Sequence, residues 1–222
     1  MPQRWSQKGS LVYDLSVYDE AFFAANQAEG LAMAEWFMPL LVGIFGFQSL
    51  MDVGCGRGHY IKWAVDHGIN AEGTDGGIWP FKKPVLTDRI VWSDLRTKDL
   101  NVFPTRPGYW DLALCIEVAE HIEPEYADNL IDLLTNLSNT IVFTAAPPGQ
   151  GGLQHVNEQP QSYWINKFQR RGFYHNSAMT LDLRYGIGAA INAGHHVAAW
   201  MLPNIMCFMK AKDGGAAGMI TV

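Results

Sequence analysis

The stretch Ser49-Leu50-Met51-Asp52-Val53-Gly54-Cys55-Gly56-Arg57-Gly58 decides the fold, because it carries an apolar strand into three glycines at alternate positions and then into a helix beginning at His59. Glycines so spaced let the backbone turn sharply. They bring a ligand against a helix N-terminus, where amide N–H groups lack intrahelical partners. The pattern belongs to loops that hold nucleotide-like cofactors, and two cofactor classes compete for it. A dinucleotide fingerprint wants G-x-G-x-x-G, a strand that stays apolar up to the first glycine, and an acid about 20 residues on. This chain reads G-x-G-x-G, places His59 where the third dinucleotide glycine would stand, and carries Asp52 two residues before Gly54. A carboxylate there repels a pyrophosphate and attracts a cation.

S-adenosylmethionine, with an ammonium group, a sulfonium centre and no pyrophosphate, meets that requirement; a nicotinamide dehydrogenase is the disfavoured alternative. With its preceding strand, Asp52 to Gly58 resembles the first motif of class I S-adenosylmethionine-dependent methyltransferases. The resemblance implies an α/β, Rossmann-like three-layer sandwich around a mostly parallel seven-stranded sheet with an antiparallel final strand. It also implies cofactor residues in order along the chain: Asp52, Gly54, Cys55, Gly56 and Gly58 in the loop, then Asp75 at the end of the strand Asn70–Asp75. Asp75 would accept hydrogen bonds from both ribose hydroxyls. Asp94, closing the segment Ile90–Leu95, would take the adenine amino group, with Leu95 beside it, Ile78 and Trp79 flanking the ring, and Glu117 completing the set.

Length and composition set bounds. At 222 residues the chain slightly exceeds the ~100–200 residues of one domain, and no linker divides it. The expected organisation is a single domain over 1–222, with an N-terminal helical cap at 1–45, a catalytic core at 46–210 and a flexible tail at 211–222. No window reaches the ~18 uninterrupted apolar residues of a membrane span, and the start Met1-Pro2-Gln3-Arg4-Trp5-Ser6 lacks an apolar signal core. A cytoplasmic location is expected. The three cysteines, Cys55, Cys115 and Cys207, fall in or beside apolar strands and suggest buried thiols rather than a disulfide framework. A net charge of −6, with no basic cluster beyond pairs such as Lys82-Lys83 and Arg170-Arg171, argues against gripping long nucleic acid.

Strands and helices alternate, which implies a parallel sheet covered on both faces. The composition predicts a helix from Tyr18 to about Leu41 stopped near Pro39, a crossover helix over His59–His67 ended by Gly68, a strand over Asp111–Ile116, and a helix from Pro124 to about Leu137. It then predicts a strand over Ile141–Ala145, a helix over Pro160–Arg171, and closing strands at Ser177–Arg184 and Asn204–Lys210. Trp164 and Phe168, four residues apart, read as core. His59 and His67 read as solvent-facing.

A second constellation, Glu117-Val118-Ala119-Glu120-His121, follows the fourth strand. On one helical turn Glu117, Glu120 and His121 share a face, so two carboxylates and an imidazole converge on a divalent cation. His155, in the long loop Pro147–Gln159, hangs over the same end of the sheet, where open parallel sheets bind ligands. The Glu-x-x-Glu-His pattern resembles ubiquinone-pathway O-methyltransferases and the enzymes that methylate the terminal ribose 2′-hydroxyl of small RNAs. That resemblance implies metal ligands Glu117, Glu120, His121 and His155, with Mg²⁺ or Mn²⁺ bound. The segment Gly149-Gln150-Gly151-Gly152, His155-Val156-Asn157-Glu158-Gln159 and Tyr163-Trp164 is similar to a set of bacterial and phage methyltransferase-like proteins. Without a metal, His121 or His155 is the candidate general base, working near neutral pH; an acid and histidine here also serve to orient substrate or cap the following helix. Arg184 and Asn204 match late positions of that set, and a surface salt bridge and a strand-end turn explain them equally. The expected activity is O-methylation of a small hydroxylated or glycan-type acceptor. The alternatives are RNA ribose 2′-O-methylation and a catalytically silent module that binds the cofactor.

Overall fold

The computed structural model describes residues 27–76, 88–97 and 109–212. In chain order the elements are α1 (Gln27–Phe45), β1 (Ser49–Val53), α2 (His59–Asp66), β2 (Asn70–Asp75), β3 (Ile90–Trp92) and β4 (Leu112–Cys115). A 3-10 turn (Ala119–His121) leads to α3 (Ala127–Leu137), β5 (Thr140–Phe143), α4 (Gln161–Gln169), β6 (Phe173–His175), α5 (Ser177–Asn192), α6 (Met201–Asn204) and β7 (Met206–Lys210). The seven strands form one sheet in the order β3-β2-β1-β4-β5-β7-β6. β1 to β5 are parallel, and β7 runs antiparallel to both β5 and β6. The Rossmann-like sheet with an antiparallel last strand is thus present.

Burial on both faces explains why the central strands β1, β4 and β5 run apolar apart from Ser49, Asp52 and Thr140 rather than alternating. Successive side chains of a strand point to opposite faces. Met51, Val53, Ala113, Cys115, Ile141, Phe143 and Phe208 pack with Leu130, Leu134, Trp164 and Phe168 of α3 and α4. Leu50, Leu112, Leu114, Val142 and Cys207 pack on the other side with Phe37 and Leu41 of α1, Ile61 of α2, and Leu183 and Ile187 of α5. The expectation that Trp164 and Phe168 are core holds: both are fully buried, and Phe168 stacks on Phe208 with ring centroids 3.9 Å apart. Lys167 and Arg171 tie α4 to Asp128 and Asp132 of α3 at 2.6–3.1 Å.

Several expectations change. Ser177–Arg184 is the first half of helix α5, not a strand. The apolar spacing Met179, Leu181, Leu183 mimics a strand's period of two, but the buried set is Thr180, Leu183, Ile187 and Ala190, a helical stripe. Asn176 caps the helix by accepting from Met179 N at 3.1 Å. Gly186 is what lets α5 approach α1, since a methyl there would overlap Leu40. The strand on that edge is instead the three-residue β6. Helix α1 continues through Pro39 to Phe45; the part of the expected helix before Gln27 lies outside the described residues. With 19 residues and mean hydropathy 1.4, α1 is also long and apolar enough to cross a membrane by length and composition. Its Met33, Ala34, Trp36, Phe37, Met38 and Leu41 are buried against α2 and α5, a packing that accounts for the apolar composition. Asn204 ends the short α6 ahead of β7.

Truncating Phe208 to alanine removes a ring shared by the β5, α4 and β6 layers. Phe208→Ala should lower unfolding free energy by about 3–5 kcal/mol, read as a lower denaturant midpoint at unchanged slope.

Candidate functional site

The parallel strands deliver their connecting loops to one edge of the sheet, where ligands bind in open α/β folds. The glycine loop leaves β1 there and folds back on β2: Gly54 N and Cys55 N donate to the Thr74 carbonyl at 2.7 and 3.0 Å. Gly54 has φ +78, and a methyl at this position would overlap Val118. Only glycine satisfies both the left-handed backbone and the close approach. Asp75, at the end of β2, accepts from Gly56 N at 2.8 Å, so the loop is docked on the acid expected to bind a ribose.

Beside the loop lies a cleft of about 230 Å³. Asp52, Gly54, Cys55, Gly56 and Glu117 line it, as expected; Met33, Tyr60, Trp200 and His59 complete its walls. His59 is therefore a cleft residue rather than a solvent-facing one. Its ring presses on Gly30 of α1, and burial together with Arg57 lowers its pKa. His67 is exposed as expected, stacked on Trp63 at 3.7 Å. Asp52 is 3% exposed. Burial, reinforced by the charge of Asp75, raises its pKa from 3.8 to about 7.

The adenine-side residues are only partly placed. Asp94 is clasped by Arg96, with Nε on Oδ1 and Nη2 on Oδ2, both at 2.8 Å. Despite its burial, those hydrogen bonds hold its carboxyl below the usual range. Leu95 is buried in the core beside Val53 and Ala119, which leaves only its backbone for a ligand. Ile78 and Trp79 lie outside the described residues.

Past β4 the chain separates what the sequence put on one face. Glu117 is not helical: its φ of +53 turns its carboxylate into the cofactor cleft. There Oε2 accepts from Gln150 Nε2 at 2.9 Å and Oε1 from Asn204 Nδ2 at 3.3 Å, while Asn204 also donates to Gln150 Oε1 at 2.8 Å. Sequence reasoning met Gln150 only within a resemblance segment, and Asn204 as a matching late position that a strand-end turn explains equally; it gave neither this role. Buried amides joining three distant segments leave no local pattern.

Glu120, His121 and His155 do converge, with one donor atom from each lying within 4.8 Å of the others. Three of the four expected metal ligands are thus together, and Glu117 is outside that group although its carboxyl neighbours that of Glu120. Glu120 is fully buried, and neither carboxylate oxygen has a hydrogen-bond partner. A buried acid without partners is costly unless a cation or proton meets it. Burial and the neighbouring Glu117 push its pKa well up. His121 shares Nδ1 with the Gln154 carbonyl at 3.2 Å, and its ring meets His155 edge-on at 4.9 Å. A carbonyl only accepts, so His121 carries its proton on Nδ1. Burial and His155 lower its pKa to about 4. This environment does not make His121 the near-neutral base that was one of the two expected candidates. One carboxylate and two imidazoles form a donor set suited to a divalent transition metal.

The loop after β5 brings His155 to this place by backbone contacts. Val156 N and Asn157 N both donate to the Glu120 carbonyl at 2.9 Å, and the buried Asn157 side chain donates to the Ile122 carbonyl at 2.9 Å. Glu158 gathers three donors onto one carboxylate.

No protein-family model and no curated protein sequence matches the chain. Solved structures do match it. The plantazolicin methyltransferase BamL, in complex with a triazolic desmethylPZN analog and SAH, superposes with TM-score 0.62 at 10% identity, over 90% of this chain and 95% of that one. A SAM-dependent methyltransferase from Archaeoglobus fulgidus gives 0.56 at 19% identity, over 87% and 100%. The sugar N-methyltransferase KedS8 from Streptoalloteichus gives 0.58 at 13% identity, over 96% and 98%. At these identities the likeness is one of fold, the Rossmann-like methyltransferase fold.

Asp52 makes stability depend on pH. A carboxyl whose pKa is raised on folding holds its proton longer in the folded state, so the contribution of Asp52 to stability is greatest below pH 4, falls as pH rises toward 7, and levels off above. Asp52→Asn should flatten that slope. In chemical denaturation it should leave the ligand-free protein more stable than wild type at pH 8 by on the order of 2–4 kcal/mol.

Proposed function

We propose that the chain is an S-adenosylmethionine-dependent methyltransferase that O-methylates a small hydroxylated or glycan-type acceptor, using a divalent cation held by Glu120, His121 and His155. The observation that carries the reading is the glycine loop docked on Asp75 with Asp52 buried beside it. This is a cradle of carboxylates and backbone amides, and the two carboxylates Asp52 and Glu117 in its lining disfavour a pyrophosphate. Asp75 accepts the ribose hydroxyls; Asp52 and Glu117 face the cationic methionine end of the cofactor in the cleft. Residues 1–45 would form a cap over this cleft and 46–210 the catalytic core of one domain.

In such a transfer the acceptor oxygen would bond to the methyl carbon as the S–CH3 bond breaks, its electron pair going to sulfur to leave a neutral thioether, and the hydroxyl proton would pass to water. Because the methyl on a sulfonium is already electrophilic, the protein mainly aligns the nucleophile and excludes water. The apolar walls Met33, Tyr60 and Trp200 serve that exclusion. A bound cation supplies Lewis acidity that lowers the pKa of the acceptor hydroxyl. Glu120 contributes the charged oxygen; His121, with its pKa near 4, is a poor base at neutral pH and a good neutral ligand. Two imidazoles favour Mn²⁺ over Mg²⁺. A net charge of −6 favours a small acceptor over RNA, and the likeness to a sugar N-methyltransferase agrees with it.

Calorimetric titration with S-adenosylmethionine tests the cofactor half. Wild type should bind, and Asp75→Ala should lose at least tenfold in affinity; a wild type that does not bind sinks the reading. Mn²⁺ should give a separate signal that disappears in Glu120→Gln and His155→Ala, and methyl transfer should stop in a stringent chelator and return with Mn²⁺. Activity that survives the chelator removes the cation from the mechanism.

Asp52 adds a pH signature. It is protonated and neutral below about 7, so affinity for the cationic cofactor should rise from pH 5.5 to 7.5. That rise should be absent in Asp52→Asn titrated over the same range.

A further inference from the structure

We propose that Glu158 and Gly152 make His155 a ligand through Nε2: Glu158 holds the ring proton on Nδ1, and Gly152 provides the seat that fixes the ring. The inference rests on the cation reading of Glu120, His121 and His155. A neutral imidazole offers a lone pair from one nitrogen only, decided by which of the two carries the proton.

His155 Nδ1 lies 2.9 Å from Glu158 Oε1. Taken alone, that contact leaves the hydrogen on either partner. The other contacts of the carboxylate settle its place. Gly151 N donates to the same Oε1 at 2.7 Å, and Gly149 N donates to Oε2 at 2.8 Å. A carboxylate that takes a backbone donor on each oxygen is acting as an acceptor, so the shared hydrogen belongs to Nδ1. The lone pair is then on Nε2. His121 follows the same rule with a weaker partner, the Gln154 carbonyl. Both triad histidines are thus set to the same tautomer by groups behind them.

Seating is the second requirement. His155 packs its Nε2 end against the backbone of Gly152, where a methyl would overlap Cε1, Nε2 and Cδ2. Any side chain at 152 must displace the ring, whose 4.9 Å edge-on contact with His121 defines the triad. The spacing Gly151-Gly152, His155, Glu158 then has a physical meaning. One glycine amide and the histidine are held by one carboxylate oxygen, and the other glycine is the floor beneath the ring. A carboxylate behind a ligating imidazole orients it and raises its basicity, and loss of such a partner typically costs 10–100-fold in metal affinity.

The test reads the ring directly, with no cation present. In ¹⁵N-histidine-labelled protein, with the His155 signals identified by their loss in His155→Gln, long-range ¹H–¹⁵N spectra should show Nδ1 protonated and Nε2 bare. Glu158→Gln should shift the ring toward the Nε2–H tautomer and weaken Mn²⁺ binding 10–100-fold in calorimetry. Gly152→Ala, which keeps the carboxylate, should weaken Mn²⁺ binding while Nδ1 stays protonated. A purely structural role would alter thermal stability and leave the tautomer in place. An Nε2–H ring in the wild type, or Mn²⁺ affinity unchanged in both variants, overturns the inference. A wild type with an Nδ1–H ring that takes up no Mn²⁺ overturns the cation reading itself, so the two failures are told apart. If Glu158→Gln does not fold, the wild-type spectrum and Gly152→Ala still decide.

Discussion

Carboxylates crowded at the carboxyl edge of a buried sheet are the constraint around which this protein is arranged. Asp52 and Glu120 are almost completely enclosed, Asp75 and Glu117 stand beside them, and each raises the cost of charging its neighbour. A fold does not collect such groups for stability, because desolvating like charges opposes folding. The arrangement persists because the surrounding backbone over-determines it. Gly56 N holds Asp75, Thr144 Oγ1 accepts from Glu117 N at 2.8 Å, and the Glu120 carbonyl anchors the His155 loop. Among the described residues no Lys or Arg forms an ion pair with Asp52, Glu117 or Glu120, and a cationic cofactor and a divalent metal are two ligands whose charge would suit these carboxylates.

Glu117 is the hinge of this design. The left-handed turn at its backbone puts its side chain in the lining of the glycine-loop cleft, while Glu120 and His121, three and four residues later, join His155. The site therefore has two adjoining compartments that meet where the Glu117 and Glu120 carboxyls are neighbours. Gln150 and Asn204 hold Glu117 from the loop after β5 and from α6, so the relative placement of the compartments depends on chain that is far from both in sequence.

What could be read from the sequence was local. The glycine spacing, Asp52 and Asp75 are legible because a tight turn and a strand-end acid are dictated within a few residues, and the central strands are legible because burial on both faces makes them largely apolar. The convergence of His155 on Glu120 and His121 spans 35 residues from the glutamate; loop position put His155 over the same end of the sheet, and only resemblance to other proteins joined it to them as a ligand. The helical conformation expected at Glu117 is not found, because a single positive φ has no signature in a glutamate, although its carboxyl still neighbours that of Glu120. The α5 error has an equally plain source: Met179, Leu181 and Leu183 alternate like a strand, and Gly186 inside the helix serves contact with Leu40 rather than a turn. Gln150, Asn204 and Glu158 act through hydrogen bonds between separated segments, which no periodicity records.

The position of β7 governs how such a molecule is made. β6 pairs with β7, and β5 takes β7 on its open side, so the last strand in the chain is an interior strand of the sheet. During synthesis the first five strands can assemble in order as they emerge, leaving the hydrogen-bonding edge of β5 uncovered. β6 must wait beside that edge without a partner until Met206–Lys210 is available. Asn204, immediately before it, arrives at the same moment and brings the amide that steadies Glu117. A chain whose β7 is not yet paired can thus own a finished glycine loop while the amide that steadies Glu117 is still missing, and the pairing of Met206–Lys210 is the step that makes the edge whole.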